Sequence, residues 1–77
     1  MSSILETTEF IVKSILPKDE SVEITSTDEN GIQIISITVA PTTAGLIIGK
    51  NGHIIKSIRT LLNIAFPQTQ YRLDINN

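Results

Sequence analysis

The feature of this sequence that most constrains its fold is a glycine-bounded tetrapeptide between two apolar segments, Gly49-Lys50-Asn51-Gly52. After it, apolar residues recur at spacings of one, three, three, one and three, which is the pattern of one helix face: Ile54, Ile55, Ile58, Leu61, Leu62 and Ala65. Before it, Pro41 ends a strand, and Thr42 or Thr43 can cap a very short helix over residues 44–48. The sequence therefore predicts a short helix, a tight loop and a long helix.

A helix and two strands are predicted before this unit. Residues 3–16 place apolar side chains near helical spacing, with Ser2 or Ser3 as the N-cap and Pro17 as the stop, and these side chains are Leu5, Val12, Ile15 and Leu16. Residues 22–25 alternate as a short strand, and the dipeptide Asn30-Gly31 favours a tight hairpin turn. A second strand then follows.

That second strand is predicted from Ile32 to about Ala40, with Ile35, Ile37 and Val39 facing one way. A phase slip at Ile34 indicates either a bulge or a strand buried on both faces. Pro67 ends the long helix, and residues 71–75 alternate as a last strand. The predicted order is helix, strand, strand, helix, helix, strand.

This order of elements predicts the topology. Two strands joined by a tight turn are antiparallel, whereas strands joined by two helices that cover one sheet face pair in parallel through a right-handed crossover. The expected fold class is α+β, with a three-stranded mixed sheet and three helices on one face. At 77 residues, the chain is expected to be a single domain, residues 1–77.

Composition excludes several kinds of site. The chain has no cysteine, so neither a disulfide framework nor a thiolate metal site is expected, and with one histidine we expect no metal and no cofactor. No apolar run is long enough for a spanning helix, and the start, residues 1–6, lacks the basic region of a signal peptide. The expected location is the cytoplasm, without membrane association.

Charge is divided unevenly along the chain. The net charge is −2, but residues 1–29 carry seven acids against Lys13 and Lys18. Residues 30–73 carry no acid and four cations: Lys50, Lys56, Arg59 and Arg72. A local positive field over that part can attract a polyanion although the whole molecule is acidic.

The tetrapeptide has the chemistry of a phosphate site. Gly49 and Gly52 permit unusual backbone angles and close approach, and the N-terminus of the following helix presents unpaired N–H groups to an anion. Lys50 adds a cation, and Asn51 either caps the helix or donates to the same phosphate. Three further residues are open to two interpretations each, since they either extend the positive track or are ordinary surface residues: His53, Lys56 and Arg59.

Other motifs do not match. A P-loop has four residues between its glycines, whereas Gly49 and Gly52 are separated by two, and a dinucleotide-binding fingerprint follows a strand rather than a helix. A hairpin turn at Asn51-Gly52 is excluded by the helical period that follows it. Nearly all carboxylates lie in the first third, so no general acid and base converge, and we expect no enzyme and no small-molecule substrate.

The segment from Ile48 to Gly52, followed by Ile55, Ile58 and Arg59, resembles the I-G-x-x-G-x-x-I core of KH domains, and the order of elements is similar to the type II, prokaryotic arrangement. The resemblance implies that the loop clamps the backbone of about four nucleotides of single-stranded RNA. Gly49, Lys50, Asn51 and Gly52 would form this clamp, with Gly45 and Ile48 along the groove, Lys56 and Arg59 beside the RNA, and Ile55 and Ile58 supporting the core.

The same resemblance implies a non-catalytic RNA-binding protein that acts as an RNA chaperone or post-transcriptional regulator. Family members pair with themselves, or with a KhpB-like RNA-binding protein, so a homodimer or such a heterodimer is implied. Leu46 and His53 stand where relatives often carry basic residues, which predicts weak or context-dependent RNA affinity. Two alternatives remain: a KH-shaped module for protein interaction or dimerisation, and binding of single-stranded DNA.

Overall fold

The computed structural model of the chain describes residues 3–18 and 20–76. Its elements are α1 (Ile4–Ile15), β1 (Glu23–Glu29), β2 (Ile32–Thr38), α2 (Pro41–Ile48), α3 (His53–Ala65) and β3 (Tyr71–Asn76), with a 3-10 turn at Lys50–Gly52. The strands form one sheet in the order β1-β2-β3, with β1 antiparallel and β3 parallel to β2. The predicted order of elements, the mixed sheet and the α+β class are confirmed.

The hairpin between β1 and β2 forms because Asn30 and Gly31 both adopt positive φ, at 55° and 86°. This is the backbone that a two-residue turn needs to follow the twist of its strands. The carboxylate of Asp28 accepts a hydrogen bond from the Gly31 N–H at 2.9 Å, which stabilises the turn. The pairing runs without interruption from Glu29 opposite Ile32 to Glu23 opposite Thr38, so β1 is longer than the predicted residues 22–25.

The phase slip in β2 is explained by burial on both faces and not by a bulge, since the pairing is regular. Ile35 and Ile37 are fully buried on the side that faces the helices, and Ile34 is only 7% exposed on the opposite side. A central strand with paired neighbours on both edges can bury both sets of side chains.

The core lies between the sheet and all three helices. On the sheet side it contains Ile35, Ile37, Val39 and Leu73, and on the helix side it contains Ile4, Val12, Leu16, Ala44, Ile47, Ile58 and Leu62. Because these side chains form one cluster, the helices cover the same face of the sheet, as predicted. None of the helices in the described ranges is long and apolar enough to cross a membrane.

Ser3 is the N-cap of helix α1, and its hydroxyl accepts from the Glu6 N–H at 3.1 Å while the Glu6 carboxylate accepts from the Ser3 N–H. Ser2, the alternative cap, lies outside the described residues. The predicted buried face was partly wrong, because Leu5 is half-buried and Ile15 is 39% exposed. The buried face recurs every four residues: Ile4, Thr8, Val12 and Leu16. Thr8 can be buried because its hydroxyl donates to the Ile4 carbonyl at 2.7 Å.

Helix α2 begins at Pro41, earlier than predicted, with Ala40 as its N-cap. Proline suits this first helical position because the N–H that it lacks would have no partner there. Neither Thr42 nor Thr43 caps the helix through its side chain. Thr43 is buried instead, and its hydroxyl donates to the Glu20 carboxylate at 2.8 Å.

Helix α3 ends at Ala65, two residues before Pro67, as expected. Its buried side chains are Ile58 and Leu62, and Ile54 and Ile55 pack half-buried against the same core. The predicted stripe was wrong at its C-terminal end, because Leu61 is 52% exposed and Ala65 is also exposed.

Candidate nucleic-acid interface

Gly49 ends α2 in a conformation that only glycine can adopt here. Its φ of 75° lies in the left-handed range, and its N–H donates to the Gly45 carbonyl at 2.9 Å. A Cβ at this position would lie 2.5 Å from Cγ1 of Ile54, whose side chain packs against the core. The short distance between the loop and α3 therefore depends on the missing side chain.

Two further residues of the loop also have positive φ, Asn51 at 56° and Gly52 at 73°. Gly52 is the N-cap of α3, and no side chain caps this helix. Of the two roles left open for Asn51, capping is therefore excluded, and its exposed amide is free to face a ligand. The Gly52 and His53 N–H groups donate to the Gly49 and Lys50 carbonyls. Beyond them, the uncapped N-terminus of α3 presents its first N–H groups and the positive end of the helix dipole.

Lys50 stands in the loop itself, and Lys56 and Arg59 follow on α3; all three side chains are exposed. Within residues 3–18 and 20–76, the ion pairs are Lys13 with Glu9 at 3.7 Å and Arg72 with Asp74 at 3.1 Å. Neither pair involves the three cations near the loop, so their charge is not neutralised by a described carboxylate. His53, in the first turn of α3, is exposed as well.

Gly45 and Ile48 lie on α2 ahead of the loop, and both are exposed. Gly45 has ordinary helical φ, and a Cβ added to it would meet nothing within 4 Å. The fold therefore does not require glycine at this position, in contrast to Gly49. Ile48, at 37% exposure, and Leu46, at 47%, give the outer surface of α2 an apolar character.

A residue that the sequence analysis missed lies at the other end of this surface. The Tyr71 hydroxyl donates to Oδ1 of Asn63 at 2.8 Å and is 3.1 Å from the carbonyl oxygen of Arg59, so it joins β3 to α3. Burial raises the pKa of Tyr71 above its usual value, and the Arg59 guanidinium opposes this effect. A single aromatic residue at the start of a strand was the signal in the sequence, but its partners are eight and twelve residues away.

Tyr71 lines a shallow groove of about 570 Å³ between α3 and β3. Its other lining residues include Arg59, Asn63, Gln70 and Arg72. The structure thus places Arg59 both downstream of the loop on α3 and beside β3. The candidate interface consists of the loop, the exposed side of α2, and this groove, which we call the α3–β3 groove.

Comparisons with known proteins agree with this architecture. The family model described as KhpA/KhpB, KH domain, matches residues 6–76. An RNA-binding protein KhpA from Borreliella burgdorferi is 34% identical, over 92% of this chain and 87% of its own length. Proteins of the same name from Treponema pallidum and Clostridium acetobutylicum are 32% and 35% identical, over 86% and 95% of this chain and 85% and 93% of their own lengths. No solved structure matched the chain.

Proposed function

The chain belongs to the KhpA/KhpB family of KH domains, as its resemblance predicted, and from this we propose that it binds single-stranded RNA without catalysing a reaction. The observation that carries the proposal is the backbone of the loop between α2 and α3. Three of its four residues, Gly49, Asn51 and Gly52, have positive φ, and no side chain caps the start of α3. The relatives are named RNA-binding proteins, which supports both the ligand and the absence of a reaction.

In this proposal the phosphates bind at the loop and the bases lie on the apolar surface beside it. The N–H groups at the start of α3 and the Lys50 ammonium stabilise a phosphate, and Asn51 donates to the same group. Gly45 and Ile48 form the floor on which bases lie, since both are exposed on α2. These contacts depend on the phosphate backbone and the shape of the RNA, so we expect little preference for a particular base sequence.

Lys56 and Arg59 continue the phosphate path along α3, and Arg59 leads into the α3–β3 groove. His53 contributes only a polar surface contact, because it is exposed and next to the loop. Few cations and a net charge of −2 predict weak affinity that falls further as salt is added. A role as RNA chaperone or post-transcriptional regulator, a location in the cytoplasm and a single domain over residues 1–77 stay predictions.

The test is a charge reversal in the loop. Replacing Lys50 and Asn51 with Asp adds three negative charges at the phosphate site, and both side chains are exposed, so the core is not touched. The matched control is Lys18→Asp with Asn76→Asp, which changes the net charge equally at exposed positions outside the interface. Affinity for a short unstructured RNA, measured by fluorescence anisotropy, should collapse in the first variant only. Equal affinity in the two variants would reject the loop as the RNA site.

A second function, protein interaction, is favoured by one observation on α3. Leu61 and Ile64 are 52% and 73% exposed on a helix whose other face supports the core. Burying two such side chains would stabilise a dimer, either with a second copy or with a KhpB-like protein. Replacing both with Lys should make the protein monomeric in sedimentation while RNA binding to the loop continues. If the wild-type protein is a monomer at all accessible concentrations, pairing of two copies through α3 is wrong.

Salt dependence separates the two functions. For every phosphate that the protein neutralises, RNA affinity falls about tenfold when the salt concentration rises tenfold. The affinity of an apolar interface does not fall in this way. Titrations at two salt concentrations therefore assign any observed association to the loop or to α3.

A further inference from the structure

Strand β1 is an edge of the sheet, and its outer side has no partner among the described residues. It runs for seven residues, Glu23–Glu29, and pairs on its inner side with β2 alone. The strand contains no proline, no glycine and no bulge, which are common devices that stop an edge from pairing with another chain. A regular unpaired edge of this length can accept an additional strand.

The hairpin register defines which backbone groups face outward. Next to a two-residue turn, the pair Glu29 and Ile32 is hydrogen-bonded, and hydrogen-bonded pairs alternate with non-hydrogen-bonded pairs along an antiparallel ladder. The N–H and C=O groups of Ile24, Ser26 and Asp28 therefore point away from β2. Outside the sheet ladder, no backbone hydrogen bond within residues 3–18 and 20–76 involves these groups.

The side chains at this edge are acidic and exposed. Glu23, Thr25, Thr27 and Glu29 lie on the sheet face opposite the helices, and all four are exposed. Asp28 is exposed on the other face, and Glu20 precedes the strand. Residues 20–29 contain no cation, and their carboxylates form no ion pair with any described residue.

These acids disfavour pairing of β1 with β1 of a second copy. In an antiparallel arrangement centred on Ser26, which aligns all the outward groups, Glu23 of each copy would stand beside Glu29 of the other. Like charges directly across a pair of strands are destabilising, so self-pairing is opposed at both ends. Opposite charges at the same positions stabilise the pair.

We infer that the β1 edge binds an extended, lysine- or arginine-bearing segment of a partner protein by strand addition. The backbone groups of Ile24, Ser26 and Asp28 supply the hydrogen bonds, and Glu23 and Glu29 select cations about 20 Å apart, six residues along an added strand. This surface is separate from the loop of the proposed function, so a bound segment leaves Lys50 and Asn51 accessible to RNA.

The probe is a synthetic peptide with the alternating sequence Lys-Val-Thr-Val-Thr-Val-Lys, and its control replaces both lysines with Glu. Binding is followed by amide chemical shifts in NMR spectra of the full chain. The basic peptide should shift the amides of Ile24, Ser26 and Asp28 and protect them from hydrogen exchange, while the acidic peptide should not. Equal binding of the two peptides, or shifts confined to α3 or the loop, would overturn the inference.

Ser26→Pro tests the backbone contact directly. Proline is tolerated on an edge strand where the N–H faces solvent, so this change removes one outward donor and leaves the β1–β2 ladder intact. Peptide affinity should fall at least about tenfold, since a hydrogen bond is lost and the ring obstructs the added strand. Ser26→Ala, which keeps the N–H, should bind as the wild type does. Unchanged affinity in Ser26→Pro would reject strand addition.

A second variant keeps the test decisive if Ser26→Pro does not fold. Glu23→Lys with Glu29→Lys changes only exposed side chains and should reverse the preference, so that the acidic peptide binds better than the basic one. Retained preference for the basic peptide would contradict the assigned role of these two acids. RNA affinity should stay within about twofold in the Ser26 variants, so failure here is distinct from failure of RNA binding at the loop.

Discussion

Gly45→Ala is predicted to stabilise the fold while weakening RNA binding. Glycine inside a helix is less stable than alanine by about 0.5–1 kcal/mol, and at position 45 neither φ nor a neighbouring atom opposes a Cβ. For a domain of this size, that gain corresponds to a rise in Tm of roughly 2–8 °C. Thermal unfolding followed by circular dichroism measures it.

The effect on RNA should have the opposite sign. If a base lies on the bare backbone at Gly45, the added methyl group occupies part of its space, and such overpacking costs about 1–3 kcal/mol. This corresponds to an affinity loss of about fivefold to a hundredfold. Fluorescence anisotropy with a labelled, unstructured RNA at constant low salt measures the change.

The control for Gly45→Ala is Ser14→Ala, an exposed helical position on α1 that lies outside the interface. It should raise Tm slightly, because alanine has the higher helix propensity, and leave RNA affinity unchanged. Two results would refute the reasoning. A lower Tm for Gly45→Ala would mean that the space at this position is needed by the fold, and unchanged RNA affinity would mean that no ligand approaches it.

Alanine at the two loop glycines should lower the free energy of unfolding by different amounts, which chemical denaturation measures. Gly49→Ala is expected to destabilise by about 3 kcal/mol or more, because φ is positive and the added Cβ collides with Ile54. Gly52→Ala should destabilise by about 1 kcal/mol, because only the positive φ opposes it. Tyr71→Phe should cost about 1 kcal/mol by removing the link to α3. Because burial raises the pKa of Tyr71, its contribution to stability is complete below the unfolded value of 10.0 and is lost as pH rises above 10 through the folded value. The Phe variant should lack this loss in denaturation series above pH 10. Arg59→Gln should reduce the slope of log affinity against log salt by about one unit, and an unchanged slope would place this side chain off the phosphate path.

Local chemistry made parts of the fold predictable. Between two strand-like segments, Asn30 and Gly31 specify a two-residue turn with positive φ, and the alternation of Ile35, Ile37 and Val39 fixes the buried side of β2. The buried face of α1 was harder to predict, because Thr8 is polar in sequence and becomes compatible with burial only through its bond to the Ile4 carbonyl. A prediction from the spacing of apolar residues alone therefore leaves Thr8 out of the buried face.

At the candidate site, the sequence predicted the loop but not its surroundings. The spacing of Gly49 and Gly52 between two helical segments was sufficient to place a bare loop there. It could not distinguish the reasons for the three glycines, because the contact of Gly49 with Ile54 and the open space at Gly45 depend on how α2 packs. Tyr71 was missed for the same reason, since its partners on α3 become neighbours only when β3 pairs with β2.

The position of the loop in the middle of the connection between two parallel strands has a consequence for folding. Local segments such as the β1–β2 hairpin can form from near neighbours in sequence, whereas the pairing of Gln33 with Tyr71 requires closure of the whole α2–α3 connection. The loop is held in shape by α2 and α3, and both helices are anchored by the same core as β3. A chain in which β3 has not yet joined the sheet should therefore have a nearly complete hairpin and no RNA clamp, so the binding surface appears only with the last cooperative step.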